Sequence, residues 1–221
     1  MVSSDYNSKQ IVELDRSKWD YVPSIGLWVA KEKILFGRVS FYNAQKKLYY
    51  SNNQKIPTIP EFREFLKYTK ENDKEVYNKI IYGRSSGPEF LDAKFKKEEG
   101  KWIVYFHNFD EKGKIVEKFE ELDENTLMDE REQISLDNLL EYPTKQGLPT
   151  NRVPRGVGSS SVYYTPPQDF GGSSALNYCL GGINYPWVNN GNSKALSLDC
   201  SLHRNSLGFV RATLRLPQLK E

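Results

Sequence analysis

Histidine and cysteine are scarce, with two of each in 221 residues. His107 and His203 stand alone, and neither has a second His or Cys at ligand spacing, so no zinc site is expected. Cys179 and Cys200 are too few for the disulfide framework of a small secreted scaffold. Two buried thiols are the expectation, with pairing across adjacent strands as the alternative. No Gly-x-Ser-x-Gly elbow occurs, and no Gly-x-Gly-x-x-Gly follows a strand. The Gly156-Val-Gly-Ser-Ser-Ser161 piece lacks the Gly-Lys-[Ser/Thr] of a phosphate loop. No apolar run approaches the roughly 20 residues that span a bilayer, so no membrane insertion is expected. Met1-Val-Ser-Ser-Asp-Tyr-Asn7 has no charged start leading into an apolar stretch, so no signal peptide is visible. A soluble chain is expected, with surface or virion display left open. Net charge is only +2, without the basic stripe that neutralises phosphates, which argues against a nucleic-acid partner.

Aromatic residues and an uneven distribution of charge are what the chain has. There are 14 tyrosines, and of the charged side chains 50 fall in residues 1–145 and only 10 in residues 146–221. A charge-rich body thus carries a Gly/Ser/Asn/Tyr-rich end. That composition suits binding loops: Tyr gives rigid amphipathic contact area, and Ser, Gly and Asn give adaptable hydrogen bonding. The alternative is a region that is simply rich in loops. The length suits one domain over residues 1–221.

Residues 19–36 alternate loosely and predict two short strands around Gly26 and Lys31-Glu-Lys33. Ser40 to Tyr50 predicts a helix capped by Ser40, with Phe41, Ala44 and Leu48 at helical spacing and a turn cluster at Ser51-Asn-Asn-Gln54. Thr58 and Glu61 form a capping box, which makes Glu61 architectural, and Phe62, Phe65 and Leu66 make the buried stripe of a second helix. Val76 to Tyr82 extends or follows it. Residues 90–95, 101–107 and 114–119 predict a three-stranded meander with His107 at an edge. Residues 120–132 are acidic and expected to be solvated. Ile134 to Tyr142 predicts one short helix closed by Pro143. Residues 147–172 are punctuated by Pro and Gly and predict a long coil that carries function or wraps the core.

The charge-poor end has its own order. Asn190-Gly191 is a strong hairpin signal, because a type I′ turn needs positive φ at both central residues. Ala195-Leu-Ser-Leu-Asp-Cys200 alternates, with Leu196 and Leu198 on one side and Ser197 and Asp199 on the other, as in a half-buried strand. Gly181-Gly182 and Gly208-Phe209 mark close backbone passages or bends.

Ile56-Pro-Thr-x-x-Glu-Phe62, then Gly181-Gly182, Trp187-x-Asn-Asn-Gly191 and Asn205-Ser-Leu-Gly-Phe-Val-Arg-Ala212 occur in an ordered set. The set resembles the formylglycine-generating-enzyme (sulfatase-modifying factor) type of C-type lectin fold, and within it the variable proteins of diversity-generating retroelements. The resemblance covers residues 19–70 and 175–215. It implies an α+β, C-type lectin-like fold, with two helices packed on small antiparallel sheets. A β-meander would be inserted at residues 84–145, and residues 175–212 would be a variable ligand-binding region. Variation in that family falls at template codons beginning with two adenines. Ile183, Asn184, Tyr185, Val188, Asn189, Asn192, Ser193, Ser197, Asp199, Ser201, His203 and Arg204 fit that rule and are the ligand-binding positions it implies. Trp187, Lys194, Gly181, Gly182, Leu196, Leu198 and Phe209 are framework, with core packing expected for Trp187 and Phe209.

The departures from the family narrow the function. Residues 183–194 lack the cysteine pair of the formylglycine-generating enzymes, and without a thiolate there the oxidation has no nucleophile or metal ligand. The Trp-Asn-Asp and Glu-Pro-Asn signatures of calcium-dependent lectins are absent. The expectation is therefore a protein without catalytic residues, cofactor or metal that binds a protein or cell-surface ligand. An oxidase-type enzyme using Cys179 or Cys200, and a viral or appendage structural component, are the alternatives.

Overall fold

The computed structural model describes residues 14–35, 41–82, 89–128, 132–153, 160–164, 166–167, 177–182, 195–199 and 209–216. The described part begins with a turn of 3-10 helix at Arg16–Lys18, capped by the Asp15 carboxylate on the Ser17 amide at 3.1 Å. β1 (Trp19–Val22) and β2 (Leu27–Ala30) follow as a hairpin, with Trp19 opposite Ala30. Its turn needs Gly26, which sits at φ +65° and donates its N–H to the Val22 carbonyl at 3.0 Å; a side chain is strained at that angle. β3 is Ile34–Leu35.

α1 (Phe41–Asn52) runs further than its sequence pattern suggests. Ser51 and Asn52 are its last turn, because the stop comes at Asn53. That residue adopts φ +51° and donates to the Tyr49 carbonyl, while the Gln54 amide reaches Leu48, an asparagine version of the left-handed helix terminus. α2 (Ile59–Asn72) has the expected capping box. The Thr58 hydroxyl accepts from the Glu61 amide at 3.4 Å, and the Glu61 carboxylate accepts from the Thr58 amide at 2.8 Å, together worth about 1 kcal/mol. Ile59, Phe62, Phe65, Leu66 and Thr69 are its buried stripe. α3 (Lys74–Tyr82) is a separate helix, restarted by Asp73, whose carboxylate accepts from the Val76 amide at 3.1 Å.

β4 (Glu89–Phe90) is not part of the meander, which comprises β5 (Lys94–Glu98), β6 (Lys101–Phe109) and β7 (Ile115–Glu121). A buried bend at Leu91–Ala93 separates β4 from β5 and sends them to different sheets. His107 lies on the middle strand, opposite Glu117, and not at an edge. In the acidic segment Thr126 and Leu127 are buried, so it is not wholly solvated. β8 (Glu132–Ser135) contains Ile134, which the sequence pattern assigned to a helix. α4 (Leu136–Glu141) starts only after Ser135, whose hydroxyl caps the Asn138 amide at 3.4 Å. The expected coil at 147–172 contains a strand, β9 (Ser160–Tyr164), because β10 (Asn177–Gly182) offers it a partner edge. β11 (Ala195–Asp199), β12 (Phe209–Val210) and β13 (Thr213–Leu214) complete the described elements.

Three sheets result, with orders β1-β2-β13, β3-β12-β4-β11-β10-β9-β8 and β5-β6-β7. The molecule is of the α+β class, with four α-helices and small sheets among the described residues. α2 supplies the centre of the main core, where Phe62 and Phe65 meet Val29, Leu91, Leu127, Leu139 and Tyr164; the inner face of the meander joins through Phe95 and Val104. A second cluster places Ala44 and Leu48 of α1 against Ile56, Phe90, Val210 and Ala212. No helix among the described residues is long and apolar enough to cross a membrane.

Candidate functional site

The C-terminal strands define the frame on which the nominated positions sit. β10 and β11 pair antiparallel, from Asn177 opposite Asp199 to Gly181 opposite Ala195. β11 also runs parallel to β4, and so does β12, with Phe209 and Leu198 both opposite Glu89. β11 and β12 therefore run in the same direction on either side of β4. By the two-residue period, positions 197 and 199 fall on one face of β11 and 196 and 198 on the other.

That frame is locked by Arg211, one residue past β12 and 2% exposed. Its Nε donates to Glu89 Oε1 at 2.8 Å and its Nη2 to Glu89 Oε2 at 3.2 Å. Its Nη1 donates to the carbonyls of Ala30, at 2.6 Å, and Lys31. The guanidinium carbon lies 5.2 Å from the Phe65 ring centroid. A two-pronged Arg–carboxylate contact of this kind fixes orientation as well as charge. Here it joins β2, β4, α2 and the chain after β12. Phe209 is buried as expected, with the Lys33 ammonium 4.3 Å from its ring centroid.

A second buried pair closes β13. Lys55, fully buried, exchanges backbone hydrogen bonds with Thr213 at 3.0 and 2.8 Å. Its ammonium donates to Glu61, the same carboxylate that caps α2, and to the Ile56 carbonyl at 3.4 Å. Glu61 is thus structural twice over.

Beside this seam lies a cleft of about 260 Å³. Its walls come from the β1–β2 hairpin (Ile25, Leu27), the first turn of α2 (Thr58 to Glu61), the bend before β5 (Asp92, Ala93), the meander (Val104, Phe106, Asn108, Glu120), the turn at Lys145–Gln146, and Arg215. The Thr144–Gly147 turn approaches α2 closely. Gly147 has φ +75°, and a Cβ there would come within 3.0 Å of Ile59 Cγ2 and of the Pro60 nitrogen. Gln146 ties the turn to β7 through Nε2, at 3.2 Å from both Glu120 Oε2 and the Glu121 carbonyl.

The ionised groups of this cleft are mostly matched. Asp92 accepts from the His107 amide at 2.7 Å and lies 3.1 Å from His107 Nδ1. That hydrogen bond raises the imidazole pKa above its ordinary 6.5; burial opposes the rise, the charges of Asp92 and Glu117 add to it, and Lys55 opposes it. Glu120 pairs with Lys145 at 2.9 Å. The sequence pattern flagged none of Arg215, Lys55 and the Asp92–His107 pair as site residues. Gly147 and the turn around it were the local signal that another element comes close.

Of the nominated ligand-binding residues, Ser197 and Asp199 lie on β11. Ile183, Asn184, Tyr185, Val188, Asn189, Asn192, Ser193, Ser201, His203 and Arg204 fall outside the described residues, as do Trp187, the Asn190-Gly191 turn and Cys200. Cys179 is on β10 opposite Ser197. Among the described residues no group of three or more His, Cys, Asp or Glu side chains is placed to hold a metal ion. No family model matches the chain, and neither a curated protein nor a solved structure matches it.

Proposed function

We propose that this chain is a ligand-binding protein, a C-type lectin-like scaffold that displays a variable surface at residues 183–204 to a protein or cell-surface partner. The observation that carries this reading is the topology around β4. Two connections that hold ten of the twelve nominated positions are rooted in one sheet, and β11 between them holds Ser197 and Asp199 on a shared face. Strands from both ends of the described chain share the β1-β2-β13 sheet, and two helices follow the first hairpin, an arrangement compatible with the lectin-like fold. The meander at residues 94–121 forms its own sheet, as an insertion into that fold would.

Physically, the reading separates frame from display. Arg211, Glu89 and Phe209 are buried and intolerant, whereas changes at exposed loop positions usually shift stability within about 0.5 kcal/mol. A partner would cover a patch of about 800 Å² on this side.

A display library that randomises the twelve positions and keeps residues 181–182, 196, 198, 209 and 211 tests the reading. Most members are expected to unfold cooperatively at a midpoint close to that of the parent chain, and panning against unrelated proteins should enrich binders with distinct residues at 185 and 204. Loss of cooperative unfolding in most members would place those positions in the interior and end the proposal. Sequencing the gene's surroundings tests the diversification itself, which requires a neighbouring near-repeat differing at adenines and a reverse transcriptase.

A further inference from the structure

We infer that the cleft between α2 and the meander binds a small amphipathic carboxylate, with its acid group on Arg215 and its apolar body against Leu27, Ile59, Val104 and Phe106. The site is separate from residues 183–204 and does not rest on the function proposed for them.

Charge matching identifies the sign of the ligand. Five ionised side chains line the cleft: Glu61, Asp92, Glu120, Lys145 and Arg215. Glu61 is held by Lys55, Asp92 by His107, and Glu120 by Lys145. Arg215 is the one with neither an ion pair nor a hydrogen bond from its side chain among the described residues; its guanidinium carbon lies 5.7 Å from the Phe109 ring centroid. A ligand cation would have to displace Lys55, His107 or Lys145 from its carboxylate, and a ligand anion displaces nothing. The planar guanidinium fork favours a carboxylate, which it can engage through two parallel hydrogen bonds.

Volume and lining set the rest of the ligand. An apolar cavity of about 150 Å³ holds benzene, so 260 Å³ admits one ring or branched alkyl group with a short acid-bearing arm. The apolar wall comes from three separate elements, the β1–β2 hairpin, α2 and β6. Such convergence of rigid elements, an apolar wall on one side and polar groups on the other, suits a ligand with both an apolar and a charged end.

The test titrates the full chain with phenylacetate, phenethylamine and phenethyl alcohol as probes, followed by NMR. Phenylacetate is expected to saturate at millimolar concentration and shift the signals of Leu27, Val104 and Phe106. The amine and the alcohol should bind at least about tenfold more weakly. Arg215 is exposed, so its replacement leaves the core intact. Arg215→Gln should weaken phenylacetate about tenfold or more, and Arg215→Glu should turn the preference toward the amine. The proposal is overturned if phenylacetate does not saturate, if its shifts map away from the cleft, or if Arg215→Gln binds it as tightly as the parent chain. None of these results would alter the library experiment on residues 183–204.

Discussion

The seam where β13 meets β2 and Lys55, and the β5-β6-β7 meander, are both small antiparallel sheets that set basic side chains beside carboxylates, yet the pairs do different work. At the seam Lys55 and Arg211 are buried with Glu61 and Glu89. On the meander, Lys96–Glu98 at 3.3 Å and Lys101–Glu121 at 2.9 Å keep at least 42% of every partner side chain in water. Exposed pairs gain little, because solvent screens them and two long side chains must be ordered. Buried pairs are costly to form but far costlier to break, since removing one partner strands a charge without solvent. The seam pairs therefore specify which segments meet. The meander pairs keep two sheet edges charged and soluble, a common protection against edge-to-edge association.

The largest expected effect comes from Arg211→Ala, which leaves the buried Glu89 carboxyl without its guanidinium partner. It should lower stability by about 3–5 kcal/mol in urea unfolding, a large share of the 5–15 kcal/mol typical of a domain. Arg211→Met combined with Glu89→Leu should restore most of that loss. A loss below about 1 kcal/mol for Arg211→Ala would erase the distinction from an exposed pair.

The Asp92–His107 contact ties the bend before β5 to the middle strand of the meander, and pH probes it. The folded imidazole has a pKa raised above 6.5 by its hydrogen bond to Asp92, so the folded state binds the proton more tightly than the unfolded chain. The stabilisation is complete below pH 6.5 and fades as pH rises through the folded pKa. His107→Gln should flatten that part of the stability profile, measured as the urea midpoint against pH. An unchanged slope would remove His107 as its source.

The smallest effect belongs to Lys101–Glu121. A double-mutant cycle with Lys101→Ala and Glu121→Ala should give a coupling below about 1 kcal/mol that shrinks with added salt. A coupling as large as that of Arg211 with Glu89 would mean that exposure does not separate the two regions.

Signals contained within a few residues were legible in the sequence. The Thr58/Glu61 capping box, the Phe62–Leu66 stripe, the turn at Gly26 and the strand at Ala195–Asp199 all appear where their local chemistry places them. Features decided by distant partners were not. β4 is two residues long and owes its place to Leu198 and Phe209, and β9 is a strand because β8 and β10 flank it. Nothing local marked Lys55 as buried, since its partner Thr213 lies 158 positions away. The Gly-Phe-Val-Arg motif was visible, but the role of its arginine depends on Glu89. The cleft is the extreme case: six separate parts of the chain build it, and no single one announces it.

The parallel placement of β4 between β11 and β12 has a consequence during translation. Glu89 leaves the ribosome 122 residues ahead of Arg211, a wait of roughly 6–24 s at about 5–20 residues per second. Throughout that interval the sheet lacks β12, and the cluster of Ala44, Leu48, Ile56 and Phe90 lacks Val210 and Ala212. Assembly of this chain is thus a late event, and its early segments are natural clients for whatever shields nascent polypeptides from one another.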